Sequence, residues 1–171
     1  MSVVKVTVPR VDEPPLPEIQ LVTPSMLEVA TSRFGTLLIP AAEQYTMDGG
    51  MHGFPELREF VLLAPTTPGG HFYWWQSTEE PEIAFPCCDP AIFFPEYRIQ
   101  SDEADVLRLK LADRPHLQVL VIVTAPRTPS AQITANLLGP LLMDPVARDA
   151  WQLICERSDL RVAAPLIPPV S

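Results

Sequence analysis

The sequence predicts a mostly β protein, a small single-domain antiparallel barrel with one short helix. Three observations lead there. Turn signals recur about every 8–12 residues between short alternating or apolar runs, which is the spacing of sandwich and barrel strands. Proline supplies 21 of the 171 residues. It sets φ and gives no ladder hydrogen bond, so it suits strand ends and turns and is hard to place in a helical bundle. The run "PHLQVLVIVTAP" is β-branched, apolar and closed by proline at both ends, the strongest strand in the chain.

Taken in order, residues 1–25 read as a proline-rich acidic extension and residues 26–171 as the barrel domain. "VDEPPLPEIQLVTP" has too few core residues to fold alone. "SVVKVTV" alternates, and whether it adds an edge strand is left open. From Met26, "LEVATS" leads to "RFGTLLIP", then "EQYTM" and the turn "DGGMHGFPE". "REFVLLAP" is a strand stopped by proline. "TTPGG" is a turn before the strand "HFYWWQS", and "PEIAFPCCDP" follows a charged turn. "SDEADVLRLKLAD" breaks the pattern: Ser101 or Asp102 as N-cap, acids in the first turn and apolar Val106, Leu107 and Leu109 predict the helix. "AQITANLLGPLLMDP" gives two strands broken at Gly139-Pro140. "ARDAWQLIC" is a strand candidate whose pattern also permits a helix, and "RSDLRVAAPLIPP" is a loop and tail.

The net charge of −9 argues against non-specific nucleic-acid binding and against docking on an anionic membrane, both of which need basic surfaces. It suits a basic partner. No run approaches the roughly 20 apolar residues of a membrane span, and the N-terminus lacks the apolar core of a signal peptide. Three cysteines, two of them adjacent, make no disulfide framework. The simplest reading is a cytoplasmic protein with reduced thiols.

Cys87-Cys88 is no metal motif, because zinc sites need Cys-x(2–4)-Cys spacing. Neighbours on a strand point to opposite faces, so one thiol turns inward and one outward. His52, His71 and His116 are scattered near turns without metal spacing. There is no phosphate-cradling glycine loop and no dinucleotide fingerprint. A charge run such as "TEEPE" is ordinarily a solvated turn. Trp74 and Trp75 face opposite ways on their strand, so one joins the core and the other meets solvent, a second layer or a partner. No metal, no cofactor and no catalytic site is expected, and a binding module is favoured over an enzyme.

Four segments, in this order, resemble the FliW flagellar assembly factors from about Leu27 to Leu166. They are "RFGTLLIP"; "GMHGFPELREFVLL" on Gly50, Gly53, Phe54, Leu57 and Phe60; "FYWWQSTEEPEIAFPCCDPAIFFPEY"; and "ITANLLGPLLMDPVAR" on Thr134, Ala135, Asn136, Leu137 and Pro140. The third carries Trp74, Gln76, Ser77, Pro81, Ala84, Phe85, Asp89, Pro90, Phe93 or Phe94, Pro95 and Tyr97. Departures are Met47-Asp48 where the family has Phe-Pro, Trp75 for an aliphatic residue, and Pro86 where a β-branched residue is usual. The last marks an edge or bulged strand. Asp89-Pro90 would form a turn. Ile83, Phe85 and Cys87 would share one face.

The resemblance implies a non-enzymatic regulator. It would bind the basic translational repressor CsrA and, alternately, flagellin, relieving repression of flagellin translation and coupling it to flagellum assembly. Glu79, Glu80 and Glu82 are the expected contacts to the basic partner, with Trp75 as apolar anchor where it faces out. Gln76 and Asn136 either satisfy strand and turn groups or meet flagellin, and Phe94 and Tyr97 complete the expected partner surface. A different class, a small-ligand-binding β-barrel or a hydrolase using the aromatic region, is the alternative. A relative that has lost one partner is a third reading.

Overall fold

Residues 23–99, 103–128, 130–155 and 159–166 are described by the computed structural model. The expected edge strand "SVVKVTV" and the N-cap at Ser101 or Asp102 lie outside them. The strands are β1 (Met26–Thr31), β2 (Gly35–Pro40), β3 (Gln44–Met47), β4 (Glu59–Leu63), β5 (Phe72–Ser77), β6 (Ala84–Cys88), β7 (Gln118–Thr124), β8 (Thr134–Ala135), β9 (Leu141–Asp144), β10 (Asp149–Gln152) and β11 (Ala164–Pro165). Two short helices, α1 (Pro90–Phe93) and α2 (Glu103–Arg108), lie between β6 and β7.

The order β7-β6-β5-β4-β3-β10-β9 returns to its start, because β9 also pairs with β7 through Leu120↔Leu141 and Gln118↔Met143. Those seven strands form a closed barrel. One pairing departs from the antiparallel expectation: β3 and β10 run parallel, Thr46↔Asp149 and Ala150↔Met47. Further along β7, Val123 and Thr124 pair with β8, whose other edge carries β11. The strand β11 falls where the sequence reads as loop. At two residues it is too short to show alternation.

Alternation sorts the side chains. Tyr45, Met47, Phe60, Trp75, Cys87, Leu120, Leu141, Met143 and Ala150 are buried together in the barrel, joined by Phe85 and Ile83. Residues 83, 85 and 87 therefore share a face as the sequence predicts. Met51 and Leu57, from the loop between β3 and β4, enter the same cluster. That loop needs Gly50. Its φ is +70°, and a Cβ there would lie 2.5 Å from the Pro55 carbonyl oxygen.

Two further clusters cover the outside. Cys88, Phe93, Val121, Val123, Ala135 and Ala164 pack beneath α1 and the C-terminal strand. Leu109, Leu142, Trp151 and Leu153 pack beneath the segment after α2. The adjacent thiols thus serve two different cores, and Cys87, Cys88 and Cys155 are all buried and outside any disulfide. Burial pushes the Cys87 thiol far up and the Cys88 thiol up to about 12.

Asp89-Pro90 does more than turn the chain. Asp89 accepts a bond from the Ala91 N–H at 2.8 Å, and Pro90 opens α1 at the first helical position. Four residues are too few for a helical period, which is why only a turn is legible there. Pro86 fits its strand by register. Ser77 N–H donates to the Ile83 carbonyl. Two-residue alternation from that bond leaves the Pro86 nitrogen facing away from β5. On that side β7 pairs β6 only at Cys87 and Cys88, so no ladder donor is missed.

Candidate protein-interaction site

The turn between β5 and β6 carries Glu79, Glu80 and Glu82, all exposed. It is held from several sides. Ser77 Oγ accepts from the Glu79 and Glu80 N–H groups, each at 3.1 Å. Ile83 N–H donates to the Glu80 carbonyl. Gln76, fully buried, donates Nε2 to the carbonyls of Ser77 at 2.9 Å and Ile83 at 3.1 Å, with a weaker approach to Pro81. Its Oε1 has no partner among the described atoms. From the neighbouring hairpin, Ser32 N–H donates to the Pro81 carbonyl at 2.9 Å.

The three acids are not equivalent. Glu79 folds back on β4, where its Oε2 accepts the N–H groups of Arg58 at 2.6 Å and Glu59 at 2.9 Å. It caps otherwise open strand donors. Glu59 feels it: partial burial raises the Glu59 carboxyl above its usual range, and the Glu79 charge adds to this against a lowering bond from Thr46. Among the described residues the Glu80 and Glu82 carboxylates make no such bonds, and both residues are exposed.

The aromatic anchor is a correction. Trp75 is fully buried, stacked on Phe60 with ring centroids 5.1 Å apart and meeting Tyr45 edge-on at 5.4 Å. Its register opposite Leu62 and Phe85 points it into the barrel. The outward tryptophan is Trp74, half-buried, with Phe34 against its edge and the Arg33 guanidinium 4.2 Å from its ring centroid. Gln76 has no exposed surface and takes the first of its two expected roles, satisfying turn carbonyls instead of meeting a partner.

Asn136 Oδ1 accepts from the Leu138 and Gly139 N–H groups, both at 3.1 Å, and so builds the turn before Pro140. Tyr97 donates its hydroxyl to the Leu137 carbonyl at 2.9 Å. It packs with half-buried Phe94 on the outer cluster near α1. The structure therefore separates the eight predicted residues. Glu80 and Glu82 are presented, Glu79 is presented and tied, Trp75 and Gln76 are internal, and Phe94, Tyr97 and Asn136 lie on another face around Leu137.

The segment "LEVATS" forms β1 as its pattern predicts, but sequence reasoning gave Ser32 and Ser77 no role in holding the turn. Serine at position 77, two and three residues ahead of the donors it accepts from, is the signal that was available.

A family model described as FliW protein matches residues 28–166. The chain belongs to the FliW family. The flagellar assembly factor FliW of Bdellovibrio bacteriovorus is 36% identical over 139 residues, covering 81% of this chain and 78% of that one. The FliW of Syntrophotalea carbinolica is 31% identical over 141 residues, covering 82% and 99%. A crystal structure of the flagellar assembly factor FliW superposes with a TM-score of 0.73 at 28% identity, covering 84% of this chain and 99% of that one. The shared FliW fold includes the barrel, and the acidic turn falls inside the matched range. No helix among the described residues is long and apolar enough to cross a membrane.

Proposed function

We propose that this FliW-family chain is a non-enzymatic, cytoplasmic flagellar assembly regulator. It binds the translational repressor CsrA, relieves repression of flagellin translation, and yields to flagellin, so that synthesis follows assembly. The observation that carries the reading is the β5–β6 turn, whose bonded backbone presents Glu79, Glu80 and Glu82 together on a chain of net charge −9. Carboxylates gathered on one bonded turn suit a basic RNA-binding partner. They raise the encounter rate and lower the positive potential that RNA requires.

Buried Trp75 takes the apolar anchor out of this contact, leaving the acids to dominate it. The thiols support the non-enzymatic side, since burial keeps Cys87 and Cys88 protonated and inert as nucleophiles.

The test is titration calorimetry into CsrA at low and at higher salt, repeated with flagellin present. Tight binding that weakens with salt and disappears with flagellin is the expected result. Charge reversal at Glu79 and Glu80 that leaves CsrA affinity unchanged at low salt would sink the electrostatic contact. Absence of both heat and co-elution, with both proteins folded, removes CsrA as partner.

A further inference from the structure

The hairpin β1–β2 stands outside the barrel as a two-stranded sheet of its own. Ala41 N–H donates to the Ser25 carbonyl at 2.7 Å, in line with the register Met26↔Pro40. Alternation from that bond turns the N–H and C=O groups of Leu27, Val29 and Thr31 onto β2. The same groups of Glu28 and Ala30 point outward, and among the described residues nothing pairs with them. At the next outward position, Ser32 N–H is taken by the Pro81 carbonyl. The open edge of β1 therefore runs directly into the acidic turn.

Val29 is fully buried and Thr31 nearly so, which seats the hairpin on the protein by one face. Glu28 and Ala30 are exposed. An exposed edge with unsatisfied backbone groups is a template for another strand unless the protein blunts it with lysine, proline or a bulge. β1 has none of these. β2 differs, since its outer edge ends at Pro40, which lacks an N–H, and its residues "GTLLIP" carry no charge. The charge therefore selects β1. Glu28 lies on the strand, Glu80 and Glu82 stand at its end, and Arg33 of the hairpin turn is engaged on the Trp74 ring.

We propose that the outer edge of β1 takes up an extended segment of a protein partner as an added strand, whose basic side chains meet Glu28, Glu80 and Glu82. The backbone ladder supplies the affinity and the acids select the segment. The inference rests on the partner reading above only for which protein contributes the segment.

The test uses ¹⁵N amide spectra of the full chain with two capped heptapeptides, one alternating lysine and valine and one alternating glutamate and valine. The lysine peptide shifts and protects the amides of Glu28 and Ala30, and the glutamate peptide does not. Ala30→Pro removes an outward donor without touching the β1–β2 ladder and weakens the lysine peptide about tenfold, as expected for losing a net hydrogen bond and its neighbour. Thr36→Pro makes the same change on the opposite edge and leaves binding unaltered. Glu28→Lys reverses the peptide preference and serves where Ala30→Pro does not fold. The proposal is overturned if the lysine peptide leaves Glu28 and Ala30 unmoved, or if Thr36→Pro weakens it as much as Ala30→Pro. Purified CsrA and flagellin are then titrated in turn. A peptide that seats on β1 while neither protein binds the chain removes the partner reading and leaves the edge. CsrA binding that leaves both amides unmoved, with no peptide binding, removes the edge and leaves the partner reading.

Discussion

The indole of Trp75 lies flat on the ring of Phe60, 5.1 Å between centroids and 4° from parallel, at the centre of the barrel. The pair joins β5 to β4 from inside. It converts a residue that reads as a surface anchor into the largest fully buried side chain among the described residues.

Trp75→Ala is accordingly expected to cost about 3–5 kcal/mol of stability, the range for deleting a large buried aromatic. Trp75→Phe keeps the stack and costs less. Chemical denaturation measures both. Where Trp75→Phe remains folded, its affinity for CsrA is unchanged; a selective loss of affinity at full stability would restore Trp75 to the surface.

Gln76→Leu removes the amide that holds the carbonyls of Ser77 and Ile83. The expected loss is about 1–3 kcal/mol, because the Ser77 carbonyl loses this donor, while the Ile83 carbonyl keeps the Ser77 N–H. Hydrogen exchange at the Glu80 and Ile83 amides accelerates more than in β9, which pairs with β7 and β10.

The three acids separate by role. Glu80→Lys and Glu82→Lys leave stability within about 0.5 kcal/mol, as for exposed substitutions generally, while weakening CsrA binding at low salt. Glu79→Lys weakens both, since Arg58 and Glu59 lose their shared acceptor. Thermal melts beside calorimetry distinguish the two patterns.

Asp144 gives the acid limb of stability. Its carboxylate accepts the N–H groups of Ala147 and Val146, each at 3.0 Å, and a bond from Arg114 at 2.8 Å. The Ala147 bond leads in holding its pKa below the ordinary carboxylate value, with Arg114 and Val146 acting the same way against burial. The native state therefore favours the ionised form. The contribution is complete above the unfolded value near ~4 and is lost as pH falls through the lower native value. Asp144→Asn flattens that part of the curve of stability against pH, whereas an unaltered acid limb would assign it elsewhere.

Much of the barrel was legible in the sequence because its strands are short, alternating and punctuated. β4, β5, β6 and β7 all fall within the segments that predict them. What local pattern cannot supply is pairing across distance. The parallel contact of β3 with β10 has no signature in either strand. Nor does adjacency say which of Trp74 and Trp75 turns inward; that follows from the β5–β6 register, Trp75↔Phe85 and Tyr73↔Cys87. The acidic turn was visible as composition. Its rigidity was not, because it depends on Gln76 reaching the carbonyls of Ser77 and Ile83 and on Ser32 arriving from a separate hairpin. Asn136 and Tyr97 are common turn and packing residues whose local bonds explain them.

The parallel seam between Thr46 and Asp149 joins positions about 100 residues apart, and such non-local pairing is formed late and slowly. On a ribosome, β3 emerges long before β10 exists to cover it. The nascent chain then carries an unsealed flank until nearly all of it has been made. Truncations ending before Asp149 should consequently be handled by the cell as unfinished protein, bound by chaperones and degraded, however complete the other six barrel strands are.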